Sequence, residues 1–126
     1  MITKKLKTEI YHEIIVFLEA YKTENTQVLK ERFDIQGEFL EEIYEMLDFV
    51  KDKNDLQLFS IEEMDDEVLG CKNLNLFDEE EYFDPDEPTI LVECCLYLNK
   101  KRIAIIVGEY NNDDTFPKFL FQYFDI

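Results

Sequence analysis

Residues 89–110, TILVECCLYLNKKRIAIIVGEY, decide the fold of this chain. From Thr89 to Leu98, residues alternate between a strictly apolar face and a mixed face, which is typical of a β-strand. Residues 99–102, Asn-Lys-Lys-Arg, form a polar loop, and an apolar run from Ile103 to Tyr110 follows. The loop is too short for a crossover between parallel strands, so the pattern predicts an antiparallel hairpin.

Three further segments predict strands of the same sheet. Residues 56–61 alternate over a short length, and residues 119–126 end the chain in a segment dense in Phe and Tyr. Between residues 67 and 77 the alternation changes phase, which indicates one bulged strand with its irregularity near residues 70–73. Because the gaps between the late strands are short, residues 55–126 are expected to form one antiparallel sheet.

The first 53 residues have the apolar period of helices instead. An apolar stripe over residues 6–21 predicts a first helix of roughly five turns. A short second helix is predicted at about residues 25–33 and a third at about residues 38–53, after a turn at Gly37. We therefore expect one α+β domain, residues 1–126, with three N-terminal helices packed on one curved antiparallel sheet of four to five strands.

Both faces of the late strands are largely apolar, and the helices can cover only one of them. The other face must curl upon itself, contact a second subunit or line a pocket. A homodimer through this uncovered face is one expectation. If the face lines a pocket, the sequence offers Glu93 or Glu109 with Tyr97 or Tyr110 as its polar groups.

The charge of the chain limits its partners. It carries 30 acidic and 13 basic side chains, a net charge of −17. Such a surface repels the phosphates of nucleic acids and of anionic membranes, so neither is an expected partner. An apolar fraction of 46% excludes a wholly disordered acidic protein. The expected partner is a basic protein, and no cofactor is indicated.

Most of the acidic excess lies in residues 62–88, which hold 12 acidic side chains and one basic side chain, Lys72. Pro85 and Pro88 keep the second half of this stretch out of a helix or a central strand. Carboxylates that steer a basic partner, with aromatic rings that anchor it, are typical of a protein-binding surface. The predicted partner-binding residues are Asp65, Asp66, Glu67, Asp78, Glu79, Glu80, Glu81, Tyr82, Phe83, Asp84, Asp86 and Glu87.

Two other interpretations of this acidic stretch stay open. A solvated loop whose charges only keep the protein in solution has the same composition. A cation site would use the same carboxylates, although the Asp-x-Asp-x-Asp-Gly pattern of a calcium loop is missing from the sequence.

The sequence lacks the spacing of known catalytic and metal-binding motifs. His12 is the only histidine, and no nucleophile or second histidine is suggested near it, so we predict a half-exposed surface residue and no enzyme activity. Cys71, Cys94 and Cys95 have no Cys-x-x-Cys spacing and are predicted to be reduced thiols without a metal. As neighbours in a strand, Cys94 and Cys95 should point to opposite faces. Residues 100–102, the only three consecutive basic residues, are expected to form a solvated turn, with a phosphate contact as the alternative.

The N-terminus and the cysteines predict the compartment. Residues 1–5, Met-Ile-Thr-Lys-Lys, lead directly into the amphipathic first helix without the apolar segment of a secretory leader. No run approaches the roughly 18 apolar residues that a membrane span needs. Together with an odd number of cysteines, this predicts a cytoplasmic protein.

A long helix, a short helix, a third helix and then long bulged antiparallel strands form an order that resembles the cystatin-like, nuclear-transport-factor-2-like cone. The resemblance covers nearly the whole chain. Its one departure is the short strand expected between the second and third helices, for which only residues 33–36, Phe-Asp-Ile-Gln, are available. Proteins of this fold recur among bacterial immunity proteins that neutralise polymorphic or contact-dependent toxins. The SUKH superfamily of immunity proteins usually has a Pro- and Gly-punctuated N-terminal region, which this chain lacks.

This resemblance implies an acidic immunity protein that neutralises the basic catalytic domain of a nuclease-type toxin by occluding its active site. Nucleases hold phosphates with Lys and Arg, which carboxylates complement. The same fold also hosts small-molecule-pocket proteins and enzymes, which are the alternative. A DNA mimic would share the acidic chemistry but have a different target.

Overall fold

The computed structural model describes residues 2–78, 89–111 and 117–126. This part of the chain contains three N-terminal helices followed by an antiparallel sheet of five strands and a separate two-stranded hairpin, which confirms the predicted α+β arrangement. The helices are α1 (Lys4–Lys22), α2 (Thr26–Phe33) and α3 (Glu38–Glu45). The strands are β1 (Leu56–Gln57), β2 (Glu67–Val68), β3 (Cys71–Lys72), β4 (Leu74–Asp78), β5 (Thr89–Leu98), β6 (Lys101–Asn111) and β7 (Phe119–Asp125).

Side-chain caps fix the starts of the first two helices. Thr3 Oγ1 accepts a hydrogen bond from Leu6 N at 3.1 Å, and Asn25 Oδ1 accepts one from Val28 N at 3.2 Å. Caps of this kind each stabilise a helix by about 0.5–2 kcal/mol. None of the described helices is long and apolar enough to cross a membrane.

The third helix ends at Glu45, well before the predicted end at about residue 53, so that boundary was wrong. Leu47 and Val50 keep the apolar spacing and are buried. However, the backbone bonds from Asp48 N to Glu45 O and from Val50 N to Leu47 O are those of tight turns. The apolar period continues beyond the helix because these side chains reach the core from turns.

The sheet is built around the hairpin of β5 and β6. β7 follows β6, while β1 and β4 share the other edge of β5. The turn between β5 and β6 consists of Asn99 and Lys100 alone, with φ values of 50° and 69° that suit a two-residue hairpin turn. The predicted loop over residues 99–102 was therefore too long, because Lys101 and Arg102 already pair within β6.

Two of the predicted strands were wrong in extent. Residues 67–77 form a tight hairpin of β2 and β3, closed by Leu69 and Gly70 at positive φ, and then β4, instead of one bulged strand. The strand predicted over residues 56–61 ends at Gln57, and the chain continues into a short 3₁₀ turn, Ile61–Glu63. In strands this short, apolar and polar residues alternate too few times to show where the strand ends.

One core lies between the helices and one face of the sheet. The ring of Phe17 in α1 stacks on Phe121 of β7 with 4.7 Å between centroids and meets Phe33 of α2 edge-on. Tyr21 of α1 is fully buried, and its hydroxyl donates to Ile43 O of α3 at 3.0 Å. Burial raises the pKa of the Tyr21 phenol, which therefore stays protonated and a donor. α1 thus connects both other helices to the sheet.

The two adjacent cysteines of β5 point to opposite faces of the sheet, as expected for neighbours in a strand. Cys94 lies in the core, and burial raises its pKa well above the ordinary value. Cys95 is buried on the other face, where its Sγ lies 3.6 Å from Lys72 O of β3. Both are free thiols, as is Cys71.

The outer sheet face is the one that the helices leave uncovered. The β2–β3 hairpin covers one end of it, where Arg102 Nη1 donates to Val68 O at 3.1 Å. Beyond the hairpin, apolar and acidic side chains share the face. By strand register they include Phe77, Leu91, Glu93, Glu109, Leu120 and Tyr123.

Candidate functional site

An acidic cleft of about 560 Å³ lies at the end of the sheet that carries the Asn99–Lys100 turn. One wall is the chain after β1, and the other is the β2–β3 hairpin. Its charged lining residues are three acidic residues, Glu63, Asp66 and Glu67, and one basic residue, Lys100. The complete lining is Gln57, Leu58, Phe59, Ser60, Glu63, Asp66, Glu67, Val68, Asn73, Tyr97 and Lys100.

Asn73 holds the acidic turn of the cleft against the sheet. Its side chain is buried, with Nδ2 donating to Glu63 O at 2.8 Å and Oδ1 accepting from the Tyr97 hydroxyl at 2.5 Å. Its backbone N–H donates to Asp66 O at 2.9 Å, and its carbonyl accepts from Cys95 N of β5 at 2.8 Å. One residue therefore fixes the backbone beside two of the three carboxylates.

The opposite wall of the cleft is fixed by a capping box and by α1. Glu63 Oε1 accepts from Ser60 Oγ at 2.7 Å and from Ser60 N at 3.4 Å, which closes the 3₁₀ turn. The Tyr11 hydroxyl of α1 donates to Phe59 O at 2.7 Å. Burial, then the nearby Cys94, Glu62 and Glu63, raises the pKa of this phenol, so the bond persists through neutral pH.

Of the three predicted site residues near the start of β2, two line the acidic cleft and one does not. Asp66 and Glu67 line the acidic cleft. Asp65 is not part of the lining, and its Oδ1 lies 2.9 Å from Lys7 Nζ of α1. The hydrogen bond from Lys7 lowers the pKa of the Asp65 carboxyl. Asp65 thus connects α1 to the acidic turn.

The other predicted site residues do not gather at the cleft within the described part of the chain. Asp78 is the last residue of β4 and pairs with Ile90, at the opposite end of the sheet from the Asn99–Lys100 turn. Asn73 and Asp78 are five residues apart in nearly extended chain, which is about 17 Å. The predicted residues Glu79, Glu80, Glu81, Tyr82, Phe83, Asp84, Asp86 and Glu87 lie outside the described residues.

Leu69 forms an apolar tip beside the cleft. It follows Glu67 and Val68, two cleft residues, and 84% of the surface of Leu69 is exposed. Its φ of 54° is left-handed, a conformation that costs a residue with a Cβ about 1–2 kcal/mol. A leucine thus occupies a turn position that favours Asn or Gly, and its side chain points into solvent.

Arg102 lies behind the hairpin between two thiols. The nearby side chain of Cys95, and to a smaller extent that of Cys71, raises the pKa of Arg102. Burial raises the pKa of the Cys95 thiol, and the guanidinium only opposes this effect. Cys95 is therefore a protonated structural thiol at neutral pH.

Within the described residues, no group of three or more His, Cys, Asp and Glu side chains is placed to hold a metal ion. His12 lies at an exposed position on α1 and contacts the ring of Tyr11 edge-on.

The four residues proposed for a small-molecule pocket do not converge. Tyr110 is buried, whereas Tyr97 lines the acidic cleft. Glu93 and Glu109 lie on the outer sheet face, where Glu109 Oε1 accepts from Gln122 Nε2 at 3.2 Å. The lining of the acidic cleft includes Tyr97 but not Glu93, Glu109 or Tyr110.

Comparison of the chain with protein-family models, with curated proteins and with solved structures found no match.

Sequence reasoning missed most of the residues that shape the acidic cleft. Asn73 was treated as part of a bulge, and Phe59 as part of a strand. The pattern Ser60-x-x-Glu63 is a capping-box signal that marks the turn. Asn73 carried no such signal, because its partners are distant in sequence.

Proposed function

We propose that this protein is a binding protein that inhibits a basic protein partner through the acidic cleft and the Leu69 tip. The observation that carries the proposal is the arrangement of Glu63, Asp66 and Glu67 around one cleft on a fixed backbone. The net charge of −17 extends the negative potential far beyond the cleft and steers a cationic partner toward it.

The Leu69 tip supplies a contact that charge alone does not provide. An exposed apolar side chain beside carboxylates enters an apolar pocket of the partner while Lys or Arg side chains of that partner reach the cleft. Central apolar anchors of this kind commonly contribute about 2 kcal/mol or more to a complex. The strain at Leu69 is consistent with a residue kept for binding rather than for stability.

The partner that fits this chemistry best is the catalytic domain of a nuclease-type toxin, and the protein would be its bacterial, cytoplasmic immunity protein. Nuclease active sites carry Lys and Arg for phosphates, and the carboxylates of the cleft would occupy them. The acidic residues 79–87 belong to the same proposal as a second source of steering charge.

A capture experiment with matched variants tests this function. The wild-type protein is immobilised, basic proteins are bound from lysate at low salt, and the retained nuclease activity is measured with and without added wild-type protein. The cleft variant, Asp66→Asn with Glu67→Gln, removes two charges from the cleft. The control variant, Glu41→Gln with Glu42→Gln, removes two exposed charges from α3.

We expect the wild type and the control variant to retain and inhibit the same basic nuclease, and the cleft variant to lose at least about tenfold in affinity. Retention that is equal for all three proteins, or a retained protein whose activity is not inhibited, would contradict the proposal.

A further inference from the structure

The free edge of β7 is the longest unpaired strand edge in the described structure. β7 pairs with β6 alone, in antiparallel register from Tyr110↔Phe119 to Ile105↔Asp125. Asn111 N donates to Lys118 O at 2.7 Å, which sets the alternation of hydrogen-bonding directions along the strand. By that alternation the backbone N–H and C=O groups of Phe119 and Phe121 point away from β6. No described residue bonds to them.

From Phe119 to Phe124 the edge lacks the features that usually protect such strands, and Pro117 and Lys118 lie just before it. Natural edge strands carry lysine, proline or an inward charge that prevents further pairing. β7 reads Phe-Leu-Phe-Gln-Tyr-Phe-Asp and has one charge, Asp125, at its end. Leu120 and Tyr123 expose 37% and 46% of their surface on the outer sheet face. Phe119, Phe121 and Phe124 are buried in the core, so the edge is firmly held.

A second copy of this chain is a poor occupant of the edge. Each copy carries a net charge of −17, and two such molecules repel each other when brought edge to edge. The same charge attracts a cationic segment. The electrostatics of the whole molecule therefore disfavour self-pairing and favour pairing with a basic chain.

We propose that β7 binds an extended basic segment of another protein as an additional strand of the sheet. Main-chain hydrogen bonds to Phe119 and Phe121 hold the bound segment. On the outer sheet face its apolar side chains contact Leu120 and Tyr123, and a cationic side chain lies near Asp125. The cationic character of this segment rests on the proposed function, whereas the strand pairing rests on the free edge.

A peptide whose alternate residues are valine, valine and lysine, separated by serines and labelled with fluorescein, is the probe for this site, because Leu120, Tyr123 and Asp125 share one face of the sheet. Its affinity is measured by fluorescence anisotropy at low salt and compared with that of the same peptide carrying N-methylated amides. N-methylation keeps the charge and removes the backbone donors. We expect the methylated peptide to bind at least about tenfold more weakly, and binding of the unmodified peptide to slow hydrogen exchange at the Phe119 and Phe121 amides.

Protein variants locate the binding. Leu120→Lys with Tyr123→Lys places two cations on the edge strand and should reduce peptide affinity at least about tenfold. Ile15→Lys with Phe49→Lys adds the same two positive charges at exposed positions on the helix side. Its affinity for the peptide should stay within about twofold of the wild-type affinity. Circular dichroism checks that both variants are folded. Because exchange at Phe119 and Phe121 is measured on the wild type, an unfolded edge variant does not remove the test.

The cleft variant separates this proposal from the proposed function. It should bind the basic protein partner more weakly, while the peptide should still protect the Phe119 and Phe121 amides from hydrogen exchange. Equal binding of the methylated and unmodified peptides would overturn the edge proposal, as would unchanged exchange at Phe119 and Phe121. Dimerisation of the wild type at high salt with protection of the same amides would also overturn it, because the edge would then belong to a second copy.

Discussion

Among the described residues, Leu69 is the one apolar side chain on a backbone of positive φ. It has a φ of 54° and is followed by Gly70 at 81°. Asn-Gly is the preferred pair for a turn with two positive φ values. We therefore expect Leu69→Asn to raise the free energy of unfolding by about 1 kcal/mol, or Tm by about 3–5 °C. Thermal and urea unfolding measure this change.

The same substitution should weaken partner binding while it stabilises the fold. Gly70→Ala is the control at the neighbouring position, where space is open but positive φ makes a Cβ unfavourable, so it should lower stability by about 1 kcal/mol. If Leu69→Asn lost stability, or if it gained stability with unchanged affinity for the captured partner, Leu69 would not be a strained binding residue.

Asn73 is the residue on which the geometry of the acidic cleft depends. Asn73→Ala removes the donor to Glu63 O and the acceptor of the Tyr97 hydroxyl, leaving both groups without these bonds. We expect a loss of about 2–3 kcal/mol in the free energy of unfolding. Asn75→Ala, which removes only the exposed bond from Nδ2 to Lys72 O, should change it by less than about 0.5 kcal/mol. Equal losses in chemical denaturation would show that Asn73 has no special role.

At the scale of elements, the pairing of β6 with β7 depends on Gly108. A Cβ at this position would lie 2.5 Å from Leu120 O and 2.9 Å from the ring of Phe119. The backbone oxygen cannot move without breaking the strand pairing, which shifts register here between Val107 and Gly108. We expect Gly108→Ala to cost about 2 kcal/mol or more in urea unfolding. A cost near zero would mean that β7 is not packed against β6 as described.

The ion pair between Lys7 and Asp65 connects α1 to the acidic turn, and its effect should depend on pH. The folded pKa of Asp65 is lowered, so its stabilisation is present above the unfolded pKa of about 3.9 and is lost as pH falls through the folded pKa. Because the Asp65 side chain is 60% exposed, solvent screens the pair, and Asp65→Asn should cost less than about 0.5 kcal/mol at pH ~7 and nothing at pH ~2. Urea unfolding at both pH values checks the sign, and a larger cost at low pH would contradict it.

Long elements could be predicted from the sequence, and short ones could not. The strand over residues 89–98 was predicted at its observed bounds because ten residues give several repeats of its period. Two-residue strands such as β2 and β3 give no repeat at all. The turn between β2 and β3 could not be predicted either, because leucine rarely adopts the positive φ that Leu69 has there. The end of α3 was missed because buried turn residues continued the helical spacing.

The candidate site was predictable only in its chemistry. The acidic excess in residues 62–88 pointed to carboxylates as the binding groups, and Asp66 and Glu67 line the cleft. The other walls come from two segments, residues 57–60 and residues 97–100, that are 37 or more positions apart in the chain. Periodicity reports local structure, so it could not bring these segments together.

At the scale of the whole molecule, charge and shape are unevenly distributed. The acidic cleft lies at the Asn99–Lys100 end of the sheet, while Asp78 and Thr89, which flank residues 79–88, lie at the other end. The free edge of β7 borders the outer sheet face. The net charge of −17 acts on all of these surfaces through long-range attraction, which salt screens.

The most direct test of the central claim measures two rates by stopped flow at several salt concentrations. They are the association and dissociation rates of this protein with the basic nuclease that it captures. Three variants each lose two charges: the cleft variant Asp66→Asn/Glu67→Gln, the segment variant Glu79→Gln/Glu80→Gln and the α3 variant Glu41→Gln/Glu42→Gln. The cleft variant should dissociate at least about tenfold faster and also lose part of its salt dependence, the segment variant should only associate more slowly, and the α3 variant should change little. If the α3 variant lost as much affinity as the cleft variant, or the cleft variant bound like the wild type, the acidic cleft would not be the binding site.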